Sequence, residues 1–209
     1  MIIETFVAPP LKTNAYVIGC EETKKGVVID PGFRSKWHIL ELAKKHQLQI
    51  EAIYLTHSHF DHIANVFELK GLEGWSVFIH PLDAENLRKP GSDSIPNLGM
   101  IQGVEPDGFF AEGEKRFVGK MEMQVIHTPG HTPGGVCFYF PHEKILFSGD
   151  TLFRGTYGRV DLLHSNGEDM KRSLQKLALL PSETVVYPGH GATTTIGEER
   201  SRRWMQPNS

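Results

Sequence analysis

Residues 56–62 read THSHFDH and follow the run IEAIYL at 50–55. That run is apolar and rich in strand formers, so a β-strand is predicted over about 50–55. His57 and His59 are two apart and fall on one side of an extended chain. Asp61 and His62 come where the chain turns into a helix, predicted from about Asp61 to Lys70. Ile63, Val66 and Phe67 lie on one face of it, and Asp61 or a neighbour can cap its start. The two pairs therefore point in different directions. One metal ion would find it hard to take all four, whereas two ions a few ångström apart could share them. A single histidine in a loop is ordinarily a solvated residue, but HxHxDH directly after an apolar strand is poorly explained that way. The segment reads as half of a site whose other half lies elsewhere.

Three later segments offer the missing ligands. In HTPGHTPGG (127–135), Pro129 and Gly130 break any helix, so His127 and His131 are not a helical pair, and the glycine-rich turns let one imidazole aim inward. ILFSGDTLF is an apolar strand ending at Gly149-Asp150, and a carboxylate at a strand end is well placed to bridge two cations. VVYPGHG is another strand, ending at His190 between two glycines.

The rest of the chain places these segments. Strands are predicted at IIETFV, NAYVIG, GVVID and WSVFIH, then near 115–118, 121–127, 135–140 and 144–149, and at ETVVYP. Helices are predicted at about 35–46, 82–88 and 166–179, with a last one opening at Thr195. Ser165 with Glu168, and Thr195 with Glu198, have the spacing of capping boxes. Residues 88–103, RKPGSDSIPNLGMIQG, read as one long loop of the kind that forms lids or binding loops. Two groups of strands, each followed by helices, point to an α/β sandwich of two similar halves within one domain spanning 1–209.

The 209 residues carry a net charge of −3, with lysine and arginine scattered, which speaks against nucleic acid or an anionic membrane as partner. No apolar run approaches the length of a membrane span, and MIIETFVAPP has no basic stretch ahead of an apolar one, so no secretory leader is expected. Cys20 and Cys137 sit in apolar runs and read as buried thiols, consistent with a reducing cytoplasm. His80 and His127 read as packed histidines, and His38, His46, His142 and His164 as surface ones. Asp30, in VVIDPG, either orients a ligand imidazole or is a turn aspartate before Pro-Gly. Tyr157 and Arg159 follow Asp150 closely enough to contact an anionic substrate, or serve structure alone.

THSHFDH, HTPGHTPG, SGDTLF and YPGHG, in this order, resemble the metallo-β-lactamase superfamily. GDTLFRGTYGR and the chain length are most similar to its short glyoxalase II-like (hydroxyacylglutathione hydrolase-like) members. The matches run from about residue 14 to 199. The resemblance implies an αβ/βα four-layer sandwich, with two mixed β-sheets flanked by helices and a binuclear site along one edge. It implies that His57, His59 and His131 hold one metal, that Asp61, His62 and His190 hold the other, and that Asp150 bridges them. Asp61 and Asp150 are then the catalytic carboxylates, Asp61 also orienting a bridging hydroxide. The longer glyoxalase II enzymes carry a C-terminal helical region that contacts glutathione. This chain ends 19 residues after His190, and no such region is expected. Arg200, Arg202 and Arg203 read as a solvated helix face.

Two divalent ions set against two carboxylates and a hydroxide leave a net charge of about +1, which draws the pKa of water towards neutrality. With nitrogen and oxygen ligands and no thiolate, zinc comes first, with iron or manganese as alternatives. The expectation is hydrolysis of a thioester, S-lactoylglutathione or a similar acyl-thiol, since a thiolate leaves without a general acid. The persulfide dioxygenases resemble this family too and bind a single iron, for which His57, His131 and Asp150 are the candidates. Hydrolysis of another ester, amide, lactone or phosphodiester, or a metal-stabilised binding module, are the remaining alternatives. Oligomeric state is not legible.

Overall fold

The computed structural model describes residues 1–95 and 99–206. The first sheet contains β1 (Ile2–Ala8), β2 (Thr13–Gly19), β3 (Lys25–Ile29), β4 (Gln49–Tyr54), β5 (Ser76–Ile79) and β6 (Gly108–Phe109), side by side in that order. The β1–β2–β3 ladder is antiparallel, and β3 to β6 run parallel. Parallel neighbours need crossovers, and α1 (Lys36–Lys45), α2 (Phe60–Ile63), α3 (Val66–Glu73) and α4 (Ala84–Arg88) lie in them. The second sheet is built from β7 (Lys115–Val118), β8 (Met121–His127), β9 (Val136–Phe140) and β10 (Ile145–Gly149). After a small hairpin of β11 (Leu152–Phe153) and β12 (Thr156–Tyr157) and the helix α5 (Gly167–Leu177), β13 (Val185–Pro188) joins β10 in parallel. β14 (Thr194–Thr195) closes that edge and leads into α6 (Ile196–Arg200).

Alternation along the strands builds the layers. Tyr16, Ile18, Val27, Ile29, Ala52 and Tyr54 of the first sheet meet Val125, Val136, Phe138, Phe140 and Phe147 of the second. The residues between them point the other way. Val17, Val28 and Ile53 pack against Ile39, Val66, Leu69 and Leu87 of the first helical layer, and Cys137, Tyr139 and Leu146 pack against Met170, Leu174 and Leu177 of α5. A period of two thus feeds three apolar clusters from two sheets. The result is the expected αβ/βα sandwich. Among the described residues no helix is long and apolar enough to cross a membrane.

Several local expectations are corrected. The helix foreseen over 61–70 is two helices, α2 and α3. The break falls at Asn65, whose N–H donates to the Pro31 carbonyl (2.9 Å) while its side-chain oxygen accepts from the Lys36 N–H (3.2 Å). The α5 cap is Asn166, not Ser165. Asn166 Oδ1 accepts from the N–H groups of Glu168 (2.9 Å) and Asp169 (3.1 Å), while the Ser165 hydroxyl is occupied within the 162–165 turn. Thr195 does accept from the Glu198 N–H (3.1 Å), but the Glu198 carboxylate turns to the Thr194 hydroxyl, so only half of a capping box forms. The segment expected as one helix at 82–88 opens with a 3-10 turn, Pro81–Asp83, before α4. His46 is half-buried against Glu4 rather than a surface residue. Strands β6, β11, β12 and β14, of two residues each, are too short for periodicity to reveal. Of the expected 88–103 loop, residues 89–95 and 99–103 hold neither helix nor strand, and 96–98 lie outside the described residues.

Candidate metal centre

Strands β3, β4, β10 and β13 run into the centre at their C-terminal ends. Chain ends of parallel strands are a common site for chemistry because the following loops converge there. β3 delivers Asp30, the loop after β4 carries His57 and His59, and α2 carries Asp61 and His62. The turn after β8 presents His131, β10 ends beside Asp150, and β13 ends beside His190. The two sheets are tied together at this edge. The Val136 N–H donates to the Thr56 carbonyl (2.9 Å), and the Asn14 N–H donates to the Gly189 carbonyl (2.7 Å). Glycine is needed at 189, where a Cβ would come within 2.1 Å of Asp150 Oδ1.

The seven expected ligands are brought together, in two groups. His57, His59 and His131 offer ligand atoms within 4.8 Å of one another, and so do Asp61, His62 and His190. Asp150 lies between the groups. Its Oδ2 is 3.4 Å from His131 Nε2 and 3.5 Å from His190 Nε2, and its Oδ1 is 3.4 Å from His62 Nε2. All but His190 and Asp150 are buried, and those two are partly so.

Hydrogen bonds on the far side of four rings decide which nitrogen faces inward. His62 Nδ1 is 2.9 Å from Asp30 Oδ2, His131 Nδ1 2.9 Å from the Arg159 carbonyl, and His190 Nδ1 3.1 Å from the Leu11 carbonyl. His57 Nδ1 is 3.0 Å from the Thr56 hydroxyl, which itself donates to Asp30 Oδ2 (2.5 Å) and so has a lone pair free to accept. Each Nδ1–H is thereby held by an acceptor, which turns each Nε2 towards the centre. Asp30, His57 and His62 also satisfy a ligand distance among themselves. Yet Asp30 already accepts from the Thr56 N–H, the Thr56 hydroxyl and the His62 ring. Its two oxygens thus tie the Thr56 backbone and hydroxyl to the His62 ring.

The electrostatics fit a cation. His57 Nε2, His131 Nε2 and Asp150 Oδ1 are buried without a hydrogen-bond partner. Such orphaned atoms are costly and call for an occupant. Burial, with the neighbouring rings His131 and His62 adding to it, pushes the His59 ring down to about 2, and burial likewise takes His57 well below the usual histidine value. Both stay neutral and free to ligate. His62 goes the other way. Burial opposes protonation, but Asp61, Asp150 and Asp30 outweigh it and push the ring up to about 10. Without an ion, this imidazolium is the local counter-charge, and a metal must displace its proton. Burial works to raise the pKa of Asp61. His62, His190 and the Thr13 hydroxyl (2.5 Å) prevail and hold it below the usual carboxylate range.

Three residues that sequence reasoning missed complete the support. Thr13 anchors Asp61, and Thr56 links Asp30 to His57. Buried Asp83 accepts from the N–H groups of Ser58 (3.0 Å) and Gly134 (2.7 Å), joining the His57–His59 loop to the His131 turn. Nothing in the local sequence marks them, because their partners are distant in the chain. Of the substrate candidates, Arg159 borders the centre but pairs through its guanidinium with Asp161 (2.8 and 2.9 Å). Tyr157 packs against Trp204, ring centroids 5.4 Å apart, and lines a different cleft. At Gly158 the backbone passes so close to Asp150 that a Cβ would meet its carbonyl at 1.8 Å.

A family model described as the metallo-beta-lactamase superfamily matches residues 8–190. An uncharacterized protein of Aquifex aeolicus is 37% identical over 203 residues, covering 96% of this chain and 95% of the relative. The probable metallo-hydrolase YqgX of Bacillus subtilis is 33% identical over 201 residues, covering 92% of each. The hydroxyacylglutathione hydrolase GloC of Haemophilus influenzae is 31% identical over 210 residues, covering 96% of this chain and 95% of that protein. Among solved structures, the BLEG-1 B3 metallo-beta-lactamase superposes with a TM-score of 0.89 at 33% identity, covering 98% and 99% of the two chains. TTHA1623 in a di-iron-bound form superposes with a TM-score of 0.78 at 38% identity, covering 96% and 98%.

Proposed function

Because the chain belongs to the metallo-β-lactamase superfamily, we propose that it is a binuclear metal-dependent thioester hydrolase acting on S-lactoylglutathione or a similar acyl-thiol. The observation that carries this reading is the pair of three-residue clusters with Asp150 between them, lined by buried polar atoms that lack partners. The residues fit two divalent ions. His57, His59 and His131 would hold one, Asp61, His62 and His190 the other, and Asp150 would touch both. Zinc suits the nitrogen and oxygen donors, and the di-iron form of TTHA1623 supports iron as the alternative. When bound, such ions supply Lewis acidity towards a carbonyl oxygen and lower the pKa of water.

The chain's own residues do the rest. Asp61 stays anionic and, held by Thr13, is set to orient the attacking water. Asp30, Arg159 and Leu11 lock the ring orientations through His62, His131 and His190. Leu11, Phe60 and Phe153 shield one side of the centre from bulk water. Water gives one proton to solvent as its oxygen adds to the acyl carbon, the C–S bond breaks, and the thiolate leaves with the electron pair. The carboxylic acid gives up its proton to the thiolate or to solvent. A thiolate is a good leaving group, and the reading needs no dedicated acid. GloC, at 31% identity, supports a thioester substrate, whereas the likeness to BLEG-1 makes a β-lactam amide the comparison substrate to include.

A second reading, a mononuclear iron dioxygenase using His57, His131 and Asp150, draws on the 3.4 Å approach of His131 to Asp150 and on iron in TTHA1623. It uses only three of the seven clustered residues, and the metal count distinguishes it from the first. In the test, His59→Ala and Asp150→Ala lose bound metal and thioester turnover together, and full turnover in either would sink the assignment. About two zinc per chain in the purified protein supports the hydrolase, and one iron with oxygen uptake on a persulfide supports the dioxygenase.

A further inference from the structure

Two clefts meet at the metal centre. One, of about 290 Å³, places Leu11, Phe60, Phe153 and Leu162 around Asp61 and His190. The other, of about 280 Å³, runs from His59 and His131 along Ser58, Asn86, Ser92 and Asp93 towards His164. Their walls share His59, His131, Ile95 and Leu162. A substrate whose reacting carbon sits at the His59–His131 corner therefore has one arm in each cleft.

The two walls differ in chemistry. The first is aliphatic and aromatic and suits an acyl group, since burying an apolar arm there removes apolar surface from water on both sides. The second has Leu82, Pro133 and Leu163 as well but adds the Asp93 carboxylate, while the Asn86 amide in it is taken up by Ser58, Gly91 and Asp93. The Asp93 carboxylate accepts from Asn86 Nδ2 (2.9 Å) and from the Ile95 N–H (3.0 Å), neither of which cancels its charge. Asp83 forms part of the same wall, bonded only to neutral groups in its hydrogen bonds with Ser58 and Gly134. Glu85 is answered by Lys89 (2.9 Å). Among the described residues lining the two clefts, Arg159 is the only lysine or arginine. It stands on the apolar side and is paired with Asp161.

We propose that the Ser58–Asn86–Asp93 cleft receives the thiol-carrier arm and favours a carrier group that is cationic or uncharged over one that is anionic. The inference rests on the thioesterase reading. An ammonium in this cleft meets Asp93 as an opposite charge, and an uncharged amide chain can donate its N–H to the same carboxylate. A carboxylate meets Asp93 as a like charge, with no lysine or arginine among the described lining residues to offset it.

The metal-loaded protein is assayed with one acyl group carried on cysteamine, on N-acetylcysteamine, on 3-mercaptopropionate and on glutathione. The expected kcat/KM on cysteamine is at least about tenfold above that on mercaptopropionate, with the difference mainly in KM and shrinking as salt is added. N-acetylcysteamine falls between them, and so does glutathione, whose ammonium offsets one of its two carboxylates. Asp93→Asn narrows the cysteamine-to-mercaptopropionate ratio to within about threefold, and Asp93→Lys inverts it. Metal content and circular dichroism check that each variant is folded, and the salt dependence of the wild-type ratio stands if Asp93→Lys is not. Equal or faster turnover of the carboxylate carriers overturns the inference. So does a ratio that neither salt nor Asp93→Asn changes. Turnover of none of the four thioesters overturns the thioesterase reading itself, and this inference with it.

Discussion

Asp30 joins two ligand-bearing segments with a single carboxylate. It sits at positive φ (49°), a conformation that aspartate tolerates better than most residues, at the point where β3 ends. From there it reaches the N–H and hydroxyl of Thr56 and the ring of His62. Asp30→Asn keeps the shape but exchanges one acceptor for a donor, so either Thr56 or His62 loses its partner. Metal affinity should fall by about 10–100-fold, as for other partners of ligand histidines. Titration of the apo-protein with zinc measures it, and unchanged affinity would refute the orienting role. At this scale the clustered residues were legible because each stands in a dense local pattern, HxHxDH or a glycine-flanked strand end. Asp30 was legible only as one of two alternatives. Thr13, Thr56 and Asp83 were not legible, since a threonine or aspartate becomes special only through what it touches. Thr13 and Asp61 are 48 positions apart. Tyr157 shows the opposite error. Nearness to Asp150 in sequence suggested a role, and the ring packs against Trp204 instead.

The helices show how local signals compete. Ser165 and Asn166 are both good N-caps, and sequence spacing chose the first. The fold uses Asn166, whose own N–H donates to the Gly130 carbonyl (2.8 Å) and so anchors the start of α5 to the turn that carries His131. Asn166→Ala should therefore lower stability by about 1 kcal/mol, read as a fall in the urea midpoint at constant slope. Ser165→Ala, which removes only bonds within the 162–165 turn, should cost less. A larger loss from Ser165→Ala would show that the cap is assigned to the wrong residue. The division of the 61–70 helix has the same origin. The apolar face of Ile63, Val66 and Phe67 was read as continuous, but the backbone at Asn65 is claimed by Pro31 and its side chain by Lys36. Tertiary hydrogen bonds override helix continuity there, and they hold α2, with Asp61 and His62, at its own angle.

For the whole molecule, the proposed metal centre should couple stability to metal loading through the proton on His62. In the ion-free protein this ring has its pKa pushed up to about 10 by the surrounding carboxylates against the effect of burial. Its protonated form therefore stabilises the ion-free fold fully below the ordinary histidine range, and that contribution is lost as pH rises through about 10. A metal needs the same ring deprotonated, so protons and metal compete. Stripping the metal with a chelator should lower the melting temperature, since occupancy at about a thousand times Kd adds about 4 kcal/mol. The gap between loaded and stripped protein should narrow from mildly alkaline to mildly acidic pH, as calorimetry with and without chelator would show. A gap that widens towards acid would contradict the competition. The sequence by itself determined the layered architecture and the chemistry of the centre. Strand alternation, glycine-ended strands and HxHxDH are local patterns, and each is written into consecutive residues. Only the tertiary structure decided which nitrogen of each ring faces inward, which carboxylate orients and which faces both clusters, and what charge lines the clefts beside them. Those depend on distances between segments that meet only when the two sheets close on each other.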